Sequence, residues 1–90
     1  MGDSAAVSPG NPKRRDPSVA LGQAIRALRH DKGITQEELA LKVEVHPTYI
    51  SMIEAGRRNV TWGTVRRISL GLGVSLRELV DVAEEIERQD

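Results

Sequence analysis

Five short stretches of helical periodicity follow one another along residues 17–87, each bounded by residues that begin or end helices. In the first, Leu21, Ile25 and Leu28 recur at i, i+4 and i+7, and the pattern ends at Gly33. Apolar residues at this spacing form one face of an amphipathic helix. Because no stretch shows the alternation of a half-buried strand, the sequence predicts an all-α fold of five helices.

The other four predicted helices are recognised by the residues that begin them. Thr35 and Ser75 each precede a glutamate by three positions, which is the capping-box pattern. Pro47 favours the first turn of a helix, and Thr61 favours the N-cap position. The predicted inward residues and helix ends are, in chain order, Leu39, Ala40, Val43, Ile50, Ile53, Gly56, Val65, Ile68, Leu72, Gly73, Leu76, Leu79, Val80 and Ala83.

Composition narrows the class of protein further. The chain of 90 residues offers room for one domain with a modest core. It contains no cysteine, which excludes disulfides, thiolate catalysis and thiolate zinc sites. Its longest apolar runs are only a few residues, so neither a membrane span nor a secretion signal is indicated. We therefore expect a cytoplasmic protein with no membrane partner.

The domain is predicted to cover residues 18–88, preceded by a disordered arm at residues 1–17. The arm, MGDSAAVSPGNPKRRDP, has hardly any large apolar side chain to offset the entropy that ordering would cost. Its Lys13-Arg14-Arg15 cluster has two interpretations. It is either solvated linker charge or a segment that follows a phosphate backbone or a minor groove.

Charge is distributed unevenly, although the formal net charge is zero. Residues 57–74 carry four arginines and no acidic residue, whereas residues 75–90 carry six acidic and two basic residues. Such an arrangement can keep the acidic end away from phosphates while the basic region faces them. A neutral total charge therefore does not exclude DNA binding.

The run from Thr35 to Asn59, TQEELALKVEVHPTYISMIEAGRRN, predicts two short helices joined by a turn. That geometry suits major-groove recognition. The run resembles the helix-turn-helix of the lambda-type phage repressors and of the wider Xre family of bacterial regulators, and the likeness extends over residues 20–80. The matching positions are Thr35, Gln36, Ala40, Ile50, Ile53, Glu54, Gly56, Leu72, Gly73, Val74 and Ser75.

The resemblance implies a compact, lambda-repressor-like domain whose second and third helices form the helix-turn-helix. It implies a sequence-specific transcriptional regulator that binds a palindromic operator in double-stranded DNA as a homodimer, with the recognition helix at about residues 47–55 in the major groove. Apolar side chains predicted to lie off the inward stripes leave surplus apolar surface, which also favours a dimer. These residues are Leu70, Val82 and Ile86. The likeness reaches the short controllers of restriction-modification operons, which share the Thr-Tyr-Ile-Ser run at residues 48–51.

The resemblance also implies which residues contact DNA. Gln36, at the N-terminus of the second helix, is expected to hold a phosphate without reading sequence. On the third helix, Thr48 is expected to bond to a base edge or touch a thymine methyl group, and Met52 to offer apolar contact. Because Ile50 and Ile53 point inward, helical spacing gives the outward face. That face is Pro47, Thr48, Ser51, Met52 and Ala55.

A basic loop follows the third helix. Arg57 and Arg58, in a segment that ends at Asn59, resemble the family's phosphate-contacting loop and are expected to bind phosphates. Tyr49 has two interpretations, a phosphate contact through its hydroxyl or a packing residue at the boundary of the core. His46 is expected to cap the third helix in preference to binding a metal, and no metal or cofactor is predicted.

Further positions concern the scaffold. Glu54 resembles the family glutamate that pairs with an arginine of the first helix, which implies an ion pair with Arg29. Glu44 stands where relatives commonly place a glycine, so a left-handed backbone there would be strained by about 1 kcal/mol. Gly63 and Gly71 fall inside the fourth helix, and each is expected to cost about 1 kcal/mol relative to alanine.

Two other classes of function compete with DNA binding. An enzyme is disfavoured, because the chain has no phosphate-binding glycine loop and no nucleophile paired with a base, and no small-molecule substrate is expected. The alternative is a helical protein-interaction module, such as an antitoxin or an adaptor, built on the same fold. Glu44, Met52 and Ala55 leave room for that alternative.

Overall fold

Five α-helices and the short turns between them make up residues 16–89, the part of the chain that the computed structural model describes. The helices are α1 (Pro17–Asp31), α2 (Gln36–Val43), α3 (Pro47–Glu54), α4 (Trp62–Leu72) and α5 (Leu76–Arg88). The described residues contain no strand, so the predicted all-α class and the order of five helices are confirmed.

Helix α1 begins one residue before the predicted domain boundary. Asp16 is its N-cap, since Oδ1 accepts hydrogen bonds from the backbone N–H groups of Ser18 at 2.8 Å and Val19 at 3.3 Å. Pro17 occupies the first helical position, where its missing N–H costs no hydrogen bond. Asp16 and Pro17 therefore belong to the domain, and the remainder of the predicted arm, residues 1–15, lies outside the described residues.

The capping signals of the sequence act as predicted at α2 and in part at α5. Thr35 Oγ1 accepts from the N–H of Glu38 at 3.0 Å, and Glu38 Oε1 accepts from the N–H of Thr35 at 2.8 Å, which completes the capping box. At α5, Ser75 Oγ accepts from the N–H of Glu78 at 3.0 Å. Glu78 makes no return bond within the described chain, so the second predicted box is a single cap.

One apolar core lies between the helices, and every helix contributes to it. Ile25, Leu39, Ile50, Ile68 and Leu79, one from each helix, are fully buried. Since the chain has no phenylalanine, this core is built from branched aliphatic side chains and alanine.

The inward face of α5 differs in part from the prediction. Leu79 and Ala83 are buried as expected, but Val80 is 39% exposed. Val82 and Ile86, which the sequence predicted off the inward stripe, are partly buried and pack against the core. Leu79, Val82, Ala83 and Ile86 form a stripe at i, i+3, i+4 and i+7, and packing of α5 against α1 selects that stripe.

Two glycines allow neighbouring helices to approach closely. A Cβ atom on Gly22 of α1 would collide with the carbonyl oxygen of Ile53 and lie 2.8 Å from that of Glu54, both on α3. A Cβ atom on Gly71 of α4 would lie 3.1 Å from Cδ1 of Leu39 on α2. Gly71, which the sequence marked as unfavourable for helix formation, therefore serves the packing of α4 on α2.

Candidate nucleic-acid interface

The turn between α2 and α3 consists of Glu44, Val45 and His46. Glu44 has φ 67° and is the one non-glycine residue with positive φ among residues 16–89. Its N–H donates to the carbonyl oxygen of Leu41 at 3.2 Å, which closes α2. His46 then caps α3, because its Nδ1 accepts from the N–H of Thr48 at 3.0 Å. The turn therefore keeps a left-handed backbone at Glu44 in spite of the expected strain, and the cap expected at His46 is present.

The outward face of α3 is the surface that the sequence predicts. It consists of exposed Thr48, Ser51 and Ala55 with half-buried Pro47 and Met52. Within residues 16–89, the hydroxyls of Thr48 and Ser51 bond to no protein group and are free to bond a ligand. An α-helix with its side chains is about 10–12 Å in diameter, so a B-DNA major groove, about 12 Å wide, can admit α3.

The loop after α3 carries the predicted basic segment. Gly56 adopts φ +75°, and the N–H of Arg57 donates to the carbonyl oxygen of Met52 at 2.9 Å, which ends the helix. Arg57 and Arg58 are exposed, and neither has a carboxylate partner in the described part of the chain. Two uncompensated positive charges therefore lie directly beyond the C-terminal end of α3.

Asn59 ends this loop and ties it to α1. Its Oδ1 accepts a hydrogen bond from Oγ of Ser18 at 3.1 Å. Close by, Val19 packs so tightly against the loop that a Cβ atom on Gly56 would lie 2.9 Å from its Cγ2. The first turn of α1 thus supports the basic loop, a contact that the sequence did not indicate.

Tyr49 lies between the core and the basic loop. It is half-buried and packs against the core, and the guanidinium carbon of Arg58 lies 5.2 Å from the centroid of its ring. Its hydroxyl bonds to none of the residues that the structure describes. The structure therefore supports the packing interpretation of Tyr49, and a phosphate contact stays a prediction.

Beneath α3, Arg29 and Glu54 form a buried ion pair with two parallel hydrogen bonds. Nε of Arg29 donates to Oε2 at 2.7 Å and Nη2 donates to Oε1 at 3.0 Å, and the two side chains are 8% and 3% exposed. The hydrogen bond with Glu54 raises the pKa of Arg29 above its ordinary value, although burial acts in the opposite direction. The pair joins α1 to the last residue of α3.

Gln36 has a partner that the sequence did not indicate. Its Nε2 donates to Oε1 of Glu54 at 2.9 Å, so the amide that was expected to be free for a phosphate is partly committed to the protein. This bond was not predictable because the two residues are 18 positions apart and meet only when α2 crosses α3. Glu54 consequently links α1, α2 and α3.

Neither a candidate metal site nor a candidate membrane span is found in residues 16–89. No group of three or more His, Asp or Glu side chains in residues 16–89 could hold a metal ion. None of the helices in this range has the length and apolar character that crossing a membrane requires.

A family model described as helix-turn-helix, HTH_3, matches residues 25–79, which include α2 and α3 in full. This chain belongs to the helix-turn-helix family. The family assignment accounts for the short α2, the three-residue turn and the outward polar face of α3 as parts of one motif.

Relatives of this helix-turn-helix protein include control protein C.BamHI of Bacillus amyloliquefaciens, which is 44% identical over 64 residues, 70% of this chain and 79% of that protein. Multiprotein-bridging factor 1 of Eremothecium gossypii is 44% identical over 66 residues, which are 73% of this chain but 42% of that longer factor. Among solved structures, the restriction-modification controller C.Esp1396I, a tetramer in complex with its natural 35 base-pair operator, matches with a TM-score of 0.74 and 34% identity, covering 79% of this chain and 93% of that one.

Proposed function

We propose that this helix-turn-helix protein is a sequence-specific transcriptional regulator that binds a palindromic DNA operator as a dimer. The observation that carries the proposal is the exposed polar face of α3 beside the uncompensated arginines of the loop that follows it. A helix that reads a groove requires such flanking groups to hold the phosphates. The likeness to C.Esp1396I, which was solved with its operator, supports the same assignment.

The proposed contacts divide into base readout and phosphate binding. Thr48 and Ser51 offer hydroxyls to base edges, and Met52 offers an apolar surface. Arg57 and Arg58 supply the phosphate contacts, which give affinity without sequence preference. The full proposed set is Gln36, Pro47, Thr48, Tyr49, Ser51, Met52, Arg57, Arg58 and Asn59.

Affinity measured against salt concentration tests the proposal, using a site selected from a random DNA pool and random-sequence DNA. Arg57→Ala should weaken binding to both DNAs and reduce the slope of log affinity against log salt by about 0.9, because one phosphate is no longer neutralised. Arg88→Ala is the matched control, because it removes an arginine that bonds to Glu85 at 2.9 Å at the end of α5. It should leave the slope unchanged. A wild-type protein without affinity for any DNA at low salt would refute the proposal.

The second candidate function is a helical protein-interaction module. The similarity to a factor named for bridging proteins favours it. The same titration separates the two functions, because an adaptor should show neither affinity for DNA nor a dependence of that affinity on salt.

The proposed dimer requires an apolar surface that the domain leaves exposed. Leu70 on α4 is 61% exposed and Val80 on α5 is 39% exposed, which provides apolar surface for a two-fold contact that sets two α3 helices about 34 Å apart. Leu70→Ser should increase the monomer fraction in sedimentation equilibrium. Lys32→Ser, at an exposed charged position that contributes no apolar surface, is the control and should not. A wild-type protein that stays monomeric at micromolar concentration with and without DNA would contradict the dimer.

This function requires no catalysis, cofactor or small-molecule substrate. It also places the protein in the compartment that holds the DNA. In a bacterial cell, as for the relative from Bacillus amyloliquefaciens, that compartment is the cytoplasm.

A further inference from the structure

Arg58 is held differently from its neighbour Arg57, although both belong to the basic loop. Its guanidinium carbon lies 5.2 Å from the centroid of the Tyr49 ring, and that ring packs against the core. The side chain of Arg57 contacts neither a ring nor a carboxylate among residues 16–89. Tyr49 therefore forms a fixed platform beneath one of the two arginines.

Contact with a ring face leaves both the charge and the hydrogen-bond donors of a guanidinium available. A cation within about 6 Å of a ring centroid is attracted by the electrons of the ring face, whereas the five N–H donors of arginine point outward in the plane of the group. A carboxylate partner would instead occupy those donors and compensate the charge, as Glu54 does for Arg29. Arg58 is thus restrained in position and still equipped to bind a phosphate.

We propose that Tyr49 is a positioning residue whose ring holds Arg58 ready for a DNA phosphate. The inference rests on the proposed function and assigns the role to the ring of Tyr49, not to its hydroxyl. An unrestrained arginine loses conformational entropy when it is fixed on a ligand, and a platform that already restrains it reduces this loss. Arg57, which has no platform, receives no such contribution.

The test measures the loss of affinity caused by Arg58→Ala in three backgrounds: wild type, Tyr49→Phe and Tyr49→Leu. Tyr49→Phe keeps the ring, so Arg58→Ala should weaken operator binding by the same factor as in the wild type. Tyr49→Leu removes the ring, so that factor should be about two- to fivefold smaller, which is the size of a cation–π contact at an exposed site. Because each comparison is made within one background, any contact of the Tyr49 hydroxyl with DNA cancels.

Arg57→Ala in the same three backgrounds is the matched control, and its effect should not change. An Arg58→Ala effect that is equal in all three backgrounds would overturn the inference. An effect that falls as much with Tyr49→Phe as with Tyr49→Leu would overturn it too, because the hydroxyl would then be the cause.

A measurement without DNA tests the contact between Arg58 and the Tyr49 ring separately from the proposed function, and it does not require Tyr49→Leu to fold. In the NMR spectrum of the free protein, the side-chain protons of Arg58 should be shifted upfield by the ring current, and those of Arg57 should not. The shift should persist in Tyr49→Phe. Absence of the shift from the wild type would overturn the inference while leaving the proposed function standing. A wild type that shows the shift but binds no DNA would refute the proposed function and leave only the contact between the ring and Arg58.

Discussion

Replacing Glu54 by alanine should lower the free energy of unfolding by about 3–5 kcal/mol, because it leaves a buried guanidinium without its counter-ion. The Glu54 side chain, 3% exposed, accepts hydrogen bonds from Nε and Nη2 of Arg29 at 2.7 and 3.0 Å and from Nε2 of Gln36 at 2.9 Å. Without Glu54, Arg29 keeps the carbonyl oxygen of Ile34 at 2.9 Å and Nε2 of His30 at 3.2 Å. Neither of these carries a negative charge.

This loss is large against the total stability of such a chain. At about 0.05–0.15 kcal/mol per residue, the domain at residues 16–89 has a free energy of unfolding of about 4–11 kcal/mol. Glu54→Ala should therefore be marginally folded and melt more than about 10 °C below the wild type. Urea unfolding followed by the circular dichroism of the helices, extrapolated linearly to water, measures the difference.

The double variant distinguishes a pair from two independent contributions. Arg29→Ala leaves a carboxylate whose remaining donor is Gln36, so it should also cost about 3–5 kcal/mol. Arg29→Ala/Glu54→Ala removes both charges, and its loss should be smaller than the sum of the single losses by about 1–3 kcal/mol. Single losses that add to within about 0.5 kcal/mol would refute the coupling. Arg88→Ala, in the exposed pair with Glu85, is the control and should change stability little.

The pH dependence of this loss follows from the pKa of Arg29, which the hydrogen bond with Glu54 raises. A pKa raised in the folded state stabilises the protein fully below the pKa of the unfolded chain, and this stabilisation is lost only as pH rises through the folded value. An arginine titrates far above pH 9. Glu54→Ala should therefore be destabilised equally at pH 7 and pH 9, and a smaller loss at pH 9 would show that the pair is not permanently charged.

Three further predictions follow from single positions. Gly22→Ala should destabilise the fold by about 3 kcal/mol or more in urea unfolding, because the added methyl group meets two backbone carbonyl oxygens. Gly63→Ala should instead stabilise α4 by about 0.5–1 kcal/mol, because the space around Gly63 is open. Glu44→Gly should relieve the left-handed backbone and raise stability by about 0.5–1 kcal/mol, and a loss in the same assay would show that the turn is unstrained. Thr48→Ala should alter discrimination at particular base pairs by about 1–3 kcal/mol, and Met52→Ala by less, in binding to single-base variants of the selected site, with the salt slope unchanged.

Helix boundaries were predictable because they depend on neighbours in the sequence. Thr35 and Glu38 bond to each other across three positions, and His46 bonds to a backbone N–H two positions away, so the local pattern contains all the necessary information. The inward stripe of α5 was only partly predictable. Apolar residues cover a wide arc of that helix, and contact with α1 decides that Val82 packs inward and Val80 stays exposed.

In the candidate site, too, the features that depend on neighbours in the sequence were predictable and the contacts between distant residues were not. Helical spacing places Thr48 outward as soon as the inward side of α3 is known. Helical spacing could not predict three contacts: the hydrogen bond from Gln36 to Glu54, the hydrogen bond from Ser18 to Asn59 and the close approach of α3 to Gly22. Each joins residues that are far apart in sequence, and no local pattern marks a glutamine or a glycine for a particular distant partner.

The contacts that hold α3 in the domain leave its outer face free of structural duties. A helix of 8 residues is too short to be stable alone, so contacts with the rest of the domain must hold it. Those contacts lie at its ends and on its inner side, where His46 caps the first turn, Glu54 is bonded to α1 and α2, and Gly22 admits the backbone of the last turn. Thr48 and Ser51 take no part in them through their hydroxyls. Substitutions at these two positions should therefore leave the position of the helix unchanged. Under the proposed function they would change which base pairs are read, and one scaffold could then serve regulators of different specificity.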